Sequence, residues 1–392
     1  MTPRPVQLDL YRTEIPMRGF DHAAASRSTS EAILAKLTYD DGFVGWGETL
    51  PRDYVTGETL ETVPEDIERT IWPACVEKEL LLPSPKPKAI PTKTGRRCLN
   101  AAACAVDLAG LRRVLHDLNN LPPAVLQQLA HRARPRTYID VKVSGVLGSK
   151  DPAKTAGRLR LMRWFGLTDF KLKLGLGDDV DRENLRLVHK KLRRALRAGA
   201  ATLRVDANGA WDEQTTPERI EALREFDVCA VEQPVYVSAR KLVSLAKRCS
   251  LPLIADETLL TDRHAKTLLA EPEKIWWNLR LAKNGGLLPT LALMNLAAGN
   301  NVTFVLGCMV GESSILSAAQ RRLLQLGPAP RFVEGNYGRF LLCDDLLRGR
   351  KSLTFGYAGC LRTLKDDGLG VEISEEKIAQ YARPLKTLFA EG

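Results

Sequence analysis

The sequence predicts an α/β protein built on a TIM-type (β/α)8 barrel, with a smaller α+β unit in front of it. From Tyr138 onward, short apolar segments typical of strands alternate with helical segments. Such β–α repetition is typical of a parallel sheet. The eight strand candidates are YIDVKVSGV, FKLKLG, TLRVDANG, CAVEQP, LPLIADET, IWWNLRLAK, VTFVLGCM and RFVEG.

Charged residues stand at the ends of five successive strand candidates, the second to the sixth. In a closed barrel the carboxyl ends of the strands meet at one mouth, where catalytic side chains gather. An open doubly wound sheet is the alternative, but it would not bring five strand ends to one point. The closed barrel is therefore favoured. The charged residues are Lys173, Asp206, Glu232, Asp256 with Glu257, and Lys283.

We divide the chain into three segments. Residues 1–130 are predicted to form the α+β unit, because VQLDLYRTEI and AILAKLTYDDGFVGWGET are strand-like, with a hairpin turn at DDG, and CLNAAACAVDLAGLRRVL is helical. Residues 131–335 are predicted to form the barrel, and they begin with the proline- and arginine-containing stretch ARPRTYID. Residues 336–392 are predicted to complete the barrel and return to the first unit.

The net charge of +10 does not by itself indicate a nucleic-acid partner. The basic cluster HKKLRRALR (189–197) follows a helical pattern, in which apolar residues share the opposite face, so a solvated helix face is favoured. No zinc-finger spacing or RNA-reading aromatic motif accompanies it. The positive field would instead attract a carboxylate substrate. The apolar residues of this helix are Leu185, Val188, Leu192 and Leu196.

Cysteine usage and hydropathy predict a cytoplasmic protein without a membrane partner. None of the eight cysteines forms a C-x-x-C pair, which indicates reduced thiols. The N-terminal stretch MTPRPVQLDLYRTEIP has no apolar signal core. The longest uncharged stretch, Asn284 to Gly311, contains Pro289 and several glycines, so it predicts a helix, a turn and a strand rather than a membrane span.

Asp206, Glu232 and Asp256 form a candidate metal site. Three carboxylates that converge in a barrel mouth would repel one another unless a cation neutralised them. A hard divalent cation with oxygen ligands, most simply Mg²⁺, is the economical solution. Each carboxylate could alternatively cap the helix that follows its strand. The three together, flanked by lysines, favour the metal.

Lys173 and Lys283 are the candidate acid and base. Side chains of a strand alternate between its faces, so Lys171 and Lys173 share the barrel interior. Lys283 lies opposite them, on the sixth strand candidate. A lysine near a cation and a second lysine loses proton affinity, which suits a general base. One lysine would remove the α-proton of a metal-bound carboxylate, and the other would return it to the opposite face. For Lys171, a structural salt bridge is the alternative.

The ordered motifs KLK, DANG, EQP, ADET and KNGG resemble the muconate-lactonising subgroup of the enolase superfamily, over nearly the whole chain. The resemblance implies a modified (β/α)7β barrel, Mg²⁺ as the cofactor, and a capping domain with GWGETLPRDYVTGET near the barrel mouth. It also implies roles for individual residues. These are Lys173 and Lys283 as catalytic residues, Asp206, Glu232 and Asp256 as metal ligands, Lys171 near the substrate carboxylate, and Asn208, Gln233 and Glu257 in support of the ligands.

Within the subgroup, RDYVTGET and GCM resemble dipeptide epimerases and N-acylamino-acid racemases. The resemblance implies substrate contacts by Arg18, Cys308 and Glu334. Arg18, in segment 15–28, would pair with a distal carboxylate, or it is a surface arginine. Glu334 stands where dipeptide epimerases carry Asp-x-Asp, so it would hold a substrate amine, unless the substrate lacks one. In GCMVGES an extra residue displaces Glu312, for which a structural role in the turn is the alternative.

The leading hypothesis is therefore an epimerase or racemase that acts on a small-molecule carboxylate, a dipeptide or an N-acyl amino acid. The alternative in the same fold is a cycloisomerase or lyase, such as muconate cycloisomerase or o-succinylbenzoate synthase. An acid-sugar dehydratase would need a histidine base, and none of the five histidines ends a strand candidate. A binding protein that inherited the fold would have no need of the five charged residues. A homo-oligomer is implied by the resemblance alone.

Overall fold

A computed structural model describes most of the chain. The described residues are 3–22, 25–77, 90, 92–95, 97–120, 136–349, 352–364 and 368–390, with the backbone alone described at 19–22, 25–27 and 111–120. Within these ranges, no helix combines the length and apolarity that a membrane crossing requires. The predicted boundary between residues 130 and 131 lies outside the described residues, as do 133–135 of ARPRTYID.

Eight parallel strands form the barrel, one at each predicted position. They pair in chain order, so each strand neighbours the next one along the sequence. Val143, just before the first strand, forms a parallel bridge with Val333 of the last, so the two edges of the sheet meet. The strands are β6 (Gly145–Leu147), β7 (Asp169–Lys173), β8 (Thr202–Asp206), β9 (Ala230–Glu232), β10 (Leu253–Ala255), β11 (Ile275–Leu279), β12 (Phe304–Leu306) and β13 (Phe332–Val333).

Helices connect the barrel strands and cover the barrel from outside. Several begin at side-chain caps that accept backbone N–H bonds, among them Asp151, Ser238, Thr261 and Ser313. The basic helix α6 buries Leu185, Val188 and Leu192, as its pattern predicts. The helices are α5 (Pro152–Trp164), α6 (Asp178–Arg197), α7 (Thr216–Leu223), α8 (Ala239–Arg248), α9 (Asp262–Leu268), α10 (Leu281–Asn284), α11 (Leu287–Gly299) and α12 (Ser314–Leu326).

The N-terminal residues form an antiparallel sheet, which the end of the chain completes. Its order is β14–β1–β2–β3, with β1 at Pro5–His22, β2 at Ala25–Tyr39, β3 at Val44–Thr49 and β14 at Ala382–Phe389. The predicted DDG turn joins β2 to β3. Smaller elements are α1 (Asp53–Thr56), α2 (Thr62–Asp66), a π-helix (Ile67–Ile71), α3 (Trp72–Glu77), the pair β4 (Lys93–Thr94) and β5 (Arg97–Cys98), and α13 (Glu375–Tyr381).

Helix α4 (Asn100–Asn120) lies against β3 and links this sheet to the barrel. Glycine is required at Gly47, because a β-carbon there would lie 1.9 Å from the carbonyl oxygen of Ala105 on α4. On the barrel side, the Asp107 carboxylate accepts a bond of 2.6 Å from the Leu287 N–H at the start of α11. Asn100 donates to the carbonyl oxygen of Lys283 at 2.5 Å. Helix α4, which packs on the N-terminal antiparallel sheet, therefore contacts the segment that carries Lys283, a predicted catalytic residue.

All eight cysteines are free thiols, as predicted. The uncharged stretch after Asn284 folds into a helix, a turn and a strand, as α11 and β12. Segment 15–28 belongs to the long hairpin of β1 and β2. The side chains at its tip lie outside the described residues.

Candidate active site

The carboxyl ends of successive strands place the predicted acidic residues together. Asp206 and Glu232 are the last residues of β8 and β9, and Asp256 directly follows β10. All three side chains are fully buried. Parallel strands in register carry these ends to one edge of the barrel, where the backbone pairs Lys173 with Asp206 and Asp206 with Glu232.

Lys171 lies at the centre of the acidic cluster. Its Nζ is 3.2 Å from Glu232, 3.6 Å from Asp206 and 2.5 Å from Glu334. Burial acts to lower the pKa of Lys171, but the carboxylates of Glu232, Glu334 and Asp206 outweigh burial and raise it. The structure thus places Lys171 in the salt bridges that were the alternative to a substrate contact.

Glu334 is shared between two cations on the barrel interior. Its Oε1 accepts from Arg204 at 2.8 Å, and its Oε2 pairs with Lys171. The Arg204 guanidinium is fully buried and stacks 3.8 Å from the ring centroid of Phe332. The sequence analysis missed Arg204, although its position two residues before Asp206 on a strand gives it the same face. Both oxygens of Glu334 are therefore engaged within the protein, and its contact with a substrate stays a prediction.

Lys173 approaches the cluster from the end of β7. Its Nζ lies 3.1 Å from Oδ1 of Asn208 and 3.6 Å from Oδ2 of Asp206. Its side chain is 12 % exposed, against 3 % for Lys171, so it is the more accessible of the two. Lys173 is thus fixed beside the first carboxylate while it keeps access to the barrel mouth.

Lys283 reaches the cluster from the opposite wall, but from a different element than predicted. Strand β11 ends at Leu279, and Lys283 lies on the short helix α10. Its placement at the end of the sixth strand is therefore corrected: a helical turn redirects the chain and brings Nζ back toward Asp256. The distances are 2.9 Å to Asp256 Oδ1 and 2.7 Å to the carbonyl oxygens of Asp256 and Asn278.

The pKa of the Lys283 ammonium is lowered well below its usual value. Burial is the largest cause, and the positive charge of Arg280 is the next. The carboxylates of Glu257 and Glu232 oppose this shift. A buried lysine with a lowered pKa is suited to accept a proton near neutral pH.

Arg280 is a second charged residue of the site, besides Arg204, that the sequence pattern did not single out. It directly follows β11, and its Nη2 donates to Oδ2 of Asp256 and lies 3.6 Å from Oε1 of Glu232. Its Nη1 lies 3.6 Å from the sulfur of Met309. The alternation Asn278, Arg280 in WNLRLAK was the available signal, since both residues share the inward face.

Asn208 and Gln233 bind the backbone and side chains of the acidic residues. Asn208 donates from its N–H to Asp206 at 2.9 Å, and the Gln233 side-chain oxygen accepts from the Asp256 N–H at 2.9 Å. Both residues have positive φ, 46° and 33°, which marks sharp turns directly after the strands. They hold the orientation of Asp206 and Asp256, in line with their predicted supporting position.

Glu257 lies beside the same cluster without a hydrogen-bond partner for one oxygen. Its buried Oε2 has none in the structure. Burial raises the pKa of Glu257 to about 7, and the neighbouring charge of Asp206 adds to the shift. An orphaned acceptor of this kind is the group that a bound cation or a substrate donor would satisfy.

The remaining predicted residues differ in their access to the site. Arg18 is exposed, and its backbone N–H donates to Leu341 at 2.8 Å. Cys308 is half-buried, and burial raises the pKa of its thiol, so it is a neutral side chain. Glu312 accepts the Met309 N–H at 2.6 Å, and burial raises its pKa to about 8. Glu312 thus braces its own turn, the structural alternative considered for it.

The donor chemistry of the cluster fits Mg²⁺. Three carboxylates and the orphaned Glu257 oxygen supply hard oxygen ligands at adjacent strand ends. Their present arrangement holds protein cations instead, since Lys171 and Arg280 stand between the carboxylates. Accordingly, across the described ranges no three acidic, histidine or cysteine side chains are spaced to hold an ion. A metal would therefore require a side chain to move.

The fold and the site together are typical of an enolase-type protein: a closed parallel barrel with an antiparallel cap, acids at the strand ends, and a lysine on either side of those acids. The chain belongs to the enolase C-terminal domain-like family, which it matches over residues 154–377. This match and the relatives described below confirm the resemblance to the enolase superfamily, the barrel-and-cap fold and the isomerase class.

The curated relatives cover almost all of the chain. It is 25 % identical to N-succinyl-L-Arg/Lys racemase of Bacillus cereus, over 95 % of this chain and 96 % of the relative. It is 29 % identical to L-Lys-D/L-Arg epimerase of Methylococcus capsulatus, over 88 % and 93 %. It is 26 % identical to muconate cycloisomerase 1 of Acinetobacter baylyi, over 92 % and 94 %.

Solved structures share the whole fold. The N-succinyl Arg/Lys racemase from Bacillus cereus superposes with a TM-score of 0.80 at 24 % identity, covering 98 % of this chain and 100 % of that one. A dipeptide epimerase from Enterococcus faecalis, complexed with Mg and the dipeptide L-Leu-L-Tyr, gives 0.75 at 22 % identity, covering 95 % and 100 %. At these identities the likeness establishes the fold.

Proposed function

We propose that this enzyme is a Mg²⁺-dependent epimerase or racemase, which moves the proton on the carbon next to a carboxylate. Its substrate class is a dipeptide or an N-acyl amino acid. One observation carries the proposal. Lys173, on the second barrel strand β7, and Lys283, on helix α10 after the sixth barrel strand β11, reach the same acidic cluster, Lys173 at Asp206 and Lys283 at Asp256.

Asp206, Glu232 and Asp256 would hold the metal, with Glu257 close by. When bound, Mg²⁺ would attract the substrate carboxylate and stabilise the negative charge that develops as the α-proton leaves. Asn208 and Gln233 would keep Asp206 and Asp256 in place through the bonds described above. Such support matters because an outer partner of a metal ligand fixes the orientation of that ligand.

The two lysines would act on opposite faces of the substrate. Lys283, whose pKa is lowered by burial and by Arg280, would accept the α-proton from one face in its neutral form. Lys173, held by Asn208 and Asp206, would donate a proton from the other face. Exchange of these roles would convert the opposite enantiomer.

The relatives support a proton transfer of this kind. Two of them are named as a racemase and an epimerase of amino-acid derivatives, and a structure with the same fold was solved with Mg and a dipeptide. The relative named muconate cycloisomerase 1 supports the alternative reaction, a cycloisomerisation. Both chemistries pass through a carbanion next to a carboxylate, so the test must separate them.

The test is a screen of dipeptides and N-acyl amino acids in D₂O with Mg²⁺. Mass spectrometry would detect deuterium at the α-carbon, and chiral chromatography would detect inversion. We expect both signals for at least one substrate. Loss of a leaving group, or ring closure, without inversion of the recovered substrate would indicate a lyase or a cycloisomerase instead. Lys266→Ala, an exposed lysine paired with Asp262, is the control that should keep full activity.

A further inference from the structure

Arg280 occupies the space between two of the proposed metal ligands. Its Nη2 contacts Oδ2 of Asp256 and lies 3.6 Å from Oε1 of Glu232. These two carboxylates are fully buried, so each needs a positive partner when no metal is bound. In the present arrangement the guanidinium supplies that partner.

The local charges show why a metal and this guanidinium cannot share the position. Four cationic side chains already surround the cluster, namely Lys171, Lys173, Arg280 and Lys283. A divalent ion placed between Glu232 and Asp256 would meet Arg280 at contact distance, where like charges repel strongly in a buried site. One cation must leave the carboxylates before Mg²⁺ can bind.

Of the three cations that contact Glu232 or Asp256, Arg280 is the one best able to leave. Lys171 is 3 % exposed and pairs with three carboxylates, and Lys283 is fully buried with three oxygen acceptors. Arg280 is 12 % exposed, its Nε has no hydrogen-bond partner among the described residues, and its Nη1 donates to the weakly accepting sulfur of Met309. Its long side chain can therefore swing toward the barrel mouth by giving up the hydrogen bond to Asp256 and the contact with Met309.

We propose that Arg280 is a built-in competitor of the metal: it holds Glu232 and Asp256 when the site is metal-free and is displaced when Mg²⁺ binds. This inference rests on the metal site of the proposed function. The apparent affinity for Mg²⁺ is then the intrinsic affinity reduced by the contacts that Arg280 must give up. Removal of the guanidinium should raise the affinity for Mg²⁺ and lower the thermal stability of the metal-free protein.

The experiment is calorimetric titration of the full chain with MgCl₂ alone, without substrate, together with thermal melts in EDTA and in Mg²⁺. Arg280→Met removes the charge and keeps a side chain of similar length. We expect it to bind Mg²⁺ at least about tenfold more tightly than the wild type, since hydrogen bonds to charged groups no longer oppose binding. The rise in Tm from EDTA to Mg²⁺ should be larger than in the wild type.

Two further variants keep the test decisive. Arg280→Lys retains the charge on a shorter side chain that ends in one ammonium group. Its affinity for Mg²⁺ should therefore lie between those of the wild type and Arg280→Met. It replaces Arg280→Met as the test if the latter does not fold. Arg224→Met, which removes an exposed guanidinium paired with Glu221, should bind Mg²⁺ like the wild type.

The outcomes separate this inference from the proposed function. If the wild type binds Mg²⁺ and neither Arg280 variant binds it more tightly, the competitor role is wrong and the metal site stands. If no variant and no wild-type sample binds Mg²⁺, the inference and the metal-dependent function fail together. Mg²⁺ binding by Arg280→Met alone would support the inference most strongly.

Discussion

Lys171 Nζ lies 3.2 Å from both carboxylate oxygens of Glu232, with the lysine side chain 3 % exposed and the glutamate fully buried. The same nitrogen also pairs with Glu334 and Asp206. A buried cation that pairs with three carboxylates is a structural centre of the site. Its loss would leave several charges without compensation, which is costly in a dry interior.

We therefore expect Lys171→Met to lower the free energy of unfolding by about 3–5 kcal/mol in EDTA. Urea denaturation followed by circular dichroism would measure the change. Lys266→Met, which breaks the exposed pair with Asp262, should change the same free energy by less than about 1 kcal/mol. A loss for Lys171→Met no larger than that of this control would show that the cluster does not depend on Lys171.

Lys173→Ala and Lys283→Ala should each lower the rate of racemisation by about 10²–10⁴, because each removes one of two proton-transfer groups. Each variant should still exchange deuterium into one enantiomer of the substrate, and the two variants should favour opposite enantiomers. Chiral chromatography and mass spectrometry in D₂O measure both effects. Full turnover by either variant would refute the two-base mechanism.

Asp256→Asn should weaken Mg²⁺ binding by at least about tenfold, because even outer partners of metal ligands contribute that much. Asp256 also accepts bonds from Lys283 and Arg280, so the variant tests its role in the whole cluster. Calorimetric titration without substrate is the measurement, and Asp262→Asn on the exposed face of α9 is the control. An unchanged affinity would remove Asp256 from the set of ligands.

Glu48 should give the stability a pH dependence of known sign. This buried cap residue accepts bonds from Ser313 and Leu316 at the start of α12. Burial raises its pKa from 4.5 to about 7, those bonds oppose the shift, and the charge of Asp345 adds to it. Since the folded state holds the proton more tightly, this contribution to stability is fully present below pH 4.5 and is lost as the pH rises through 7.

The comparison with Glu48→Gln isolates that effect. Glutamine does not titrate, so the free energy of unfolding of the wild type relative to the variant should fall by about 3 kcal/mol between pH 4.5 and pH 8. Glu312 lies near enough to interact with Glu48, but it is present in both proteins and cancels to first order. Urea titrations at three pH values give the curve. A difference that stays constant with pH would contradict the buried ionisation of Glu48.

The sequence predicts the eight strands and the acids at their ends because both depend on local pattern. Alternating apolar residues define strands, and a parallel barrel brings their carboxyl ends together whatever the side chains are. The sequence does not decide whether Lys171 and Glu334 contact the substrate or pair with each other in a salt bridge. Whether a buried lysine meets substrate or a carboxylate depends on side-chain distances across the barrel, such as that between Lys171 and Glu334.

Two residues were missed and one was misplaced, for different reasons. Arg204 and Arg280 lie on inward faces of β8 and at the end of β11, but their charge suggested no partner along the chain, since Glu334 and Asp256 are distant in sequence. Lys283 was assigned to a strand because it ends the strand-like segment IWWNLRLAK, although strict alternation from Asn278 and Arg280 would place it on the other face. The chain instead turns into α10 after Leu279, a change that the capping contact of Asn100 with Lys283 stabilises.

The pairing of β1 with β14 has a consequence for biosynthesis. Asp9 and Thr387 are joined by a side-chain hydrogen bond of 2.7 Å across 378 positions of sequence. During translation, the outer edge of the long strand β1 therefore stays unpaired until the residues of β14 have been synthesised. Until then it presents unpaired backbone groups, which are open to association with neighbouring nascent chains.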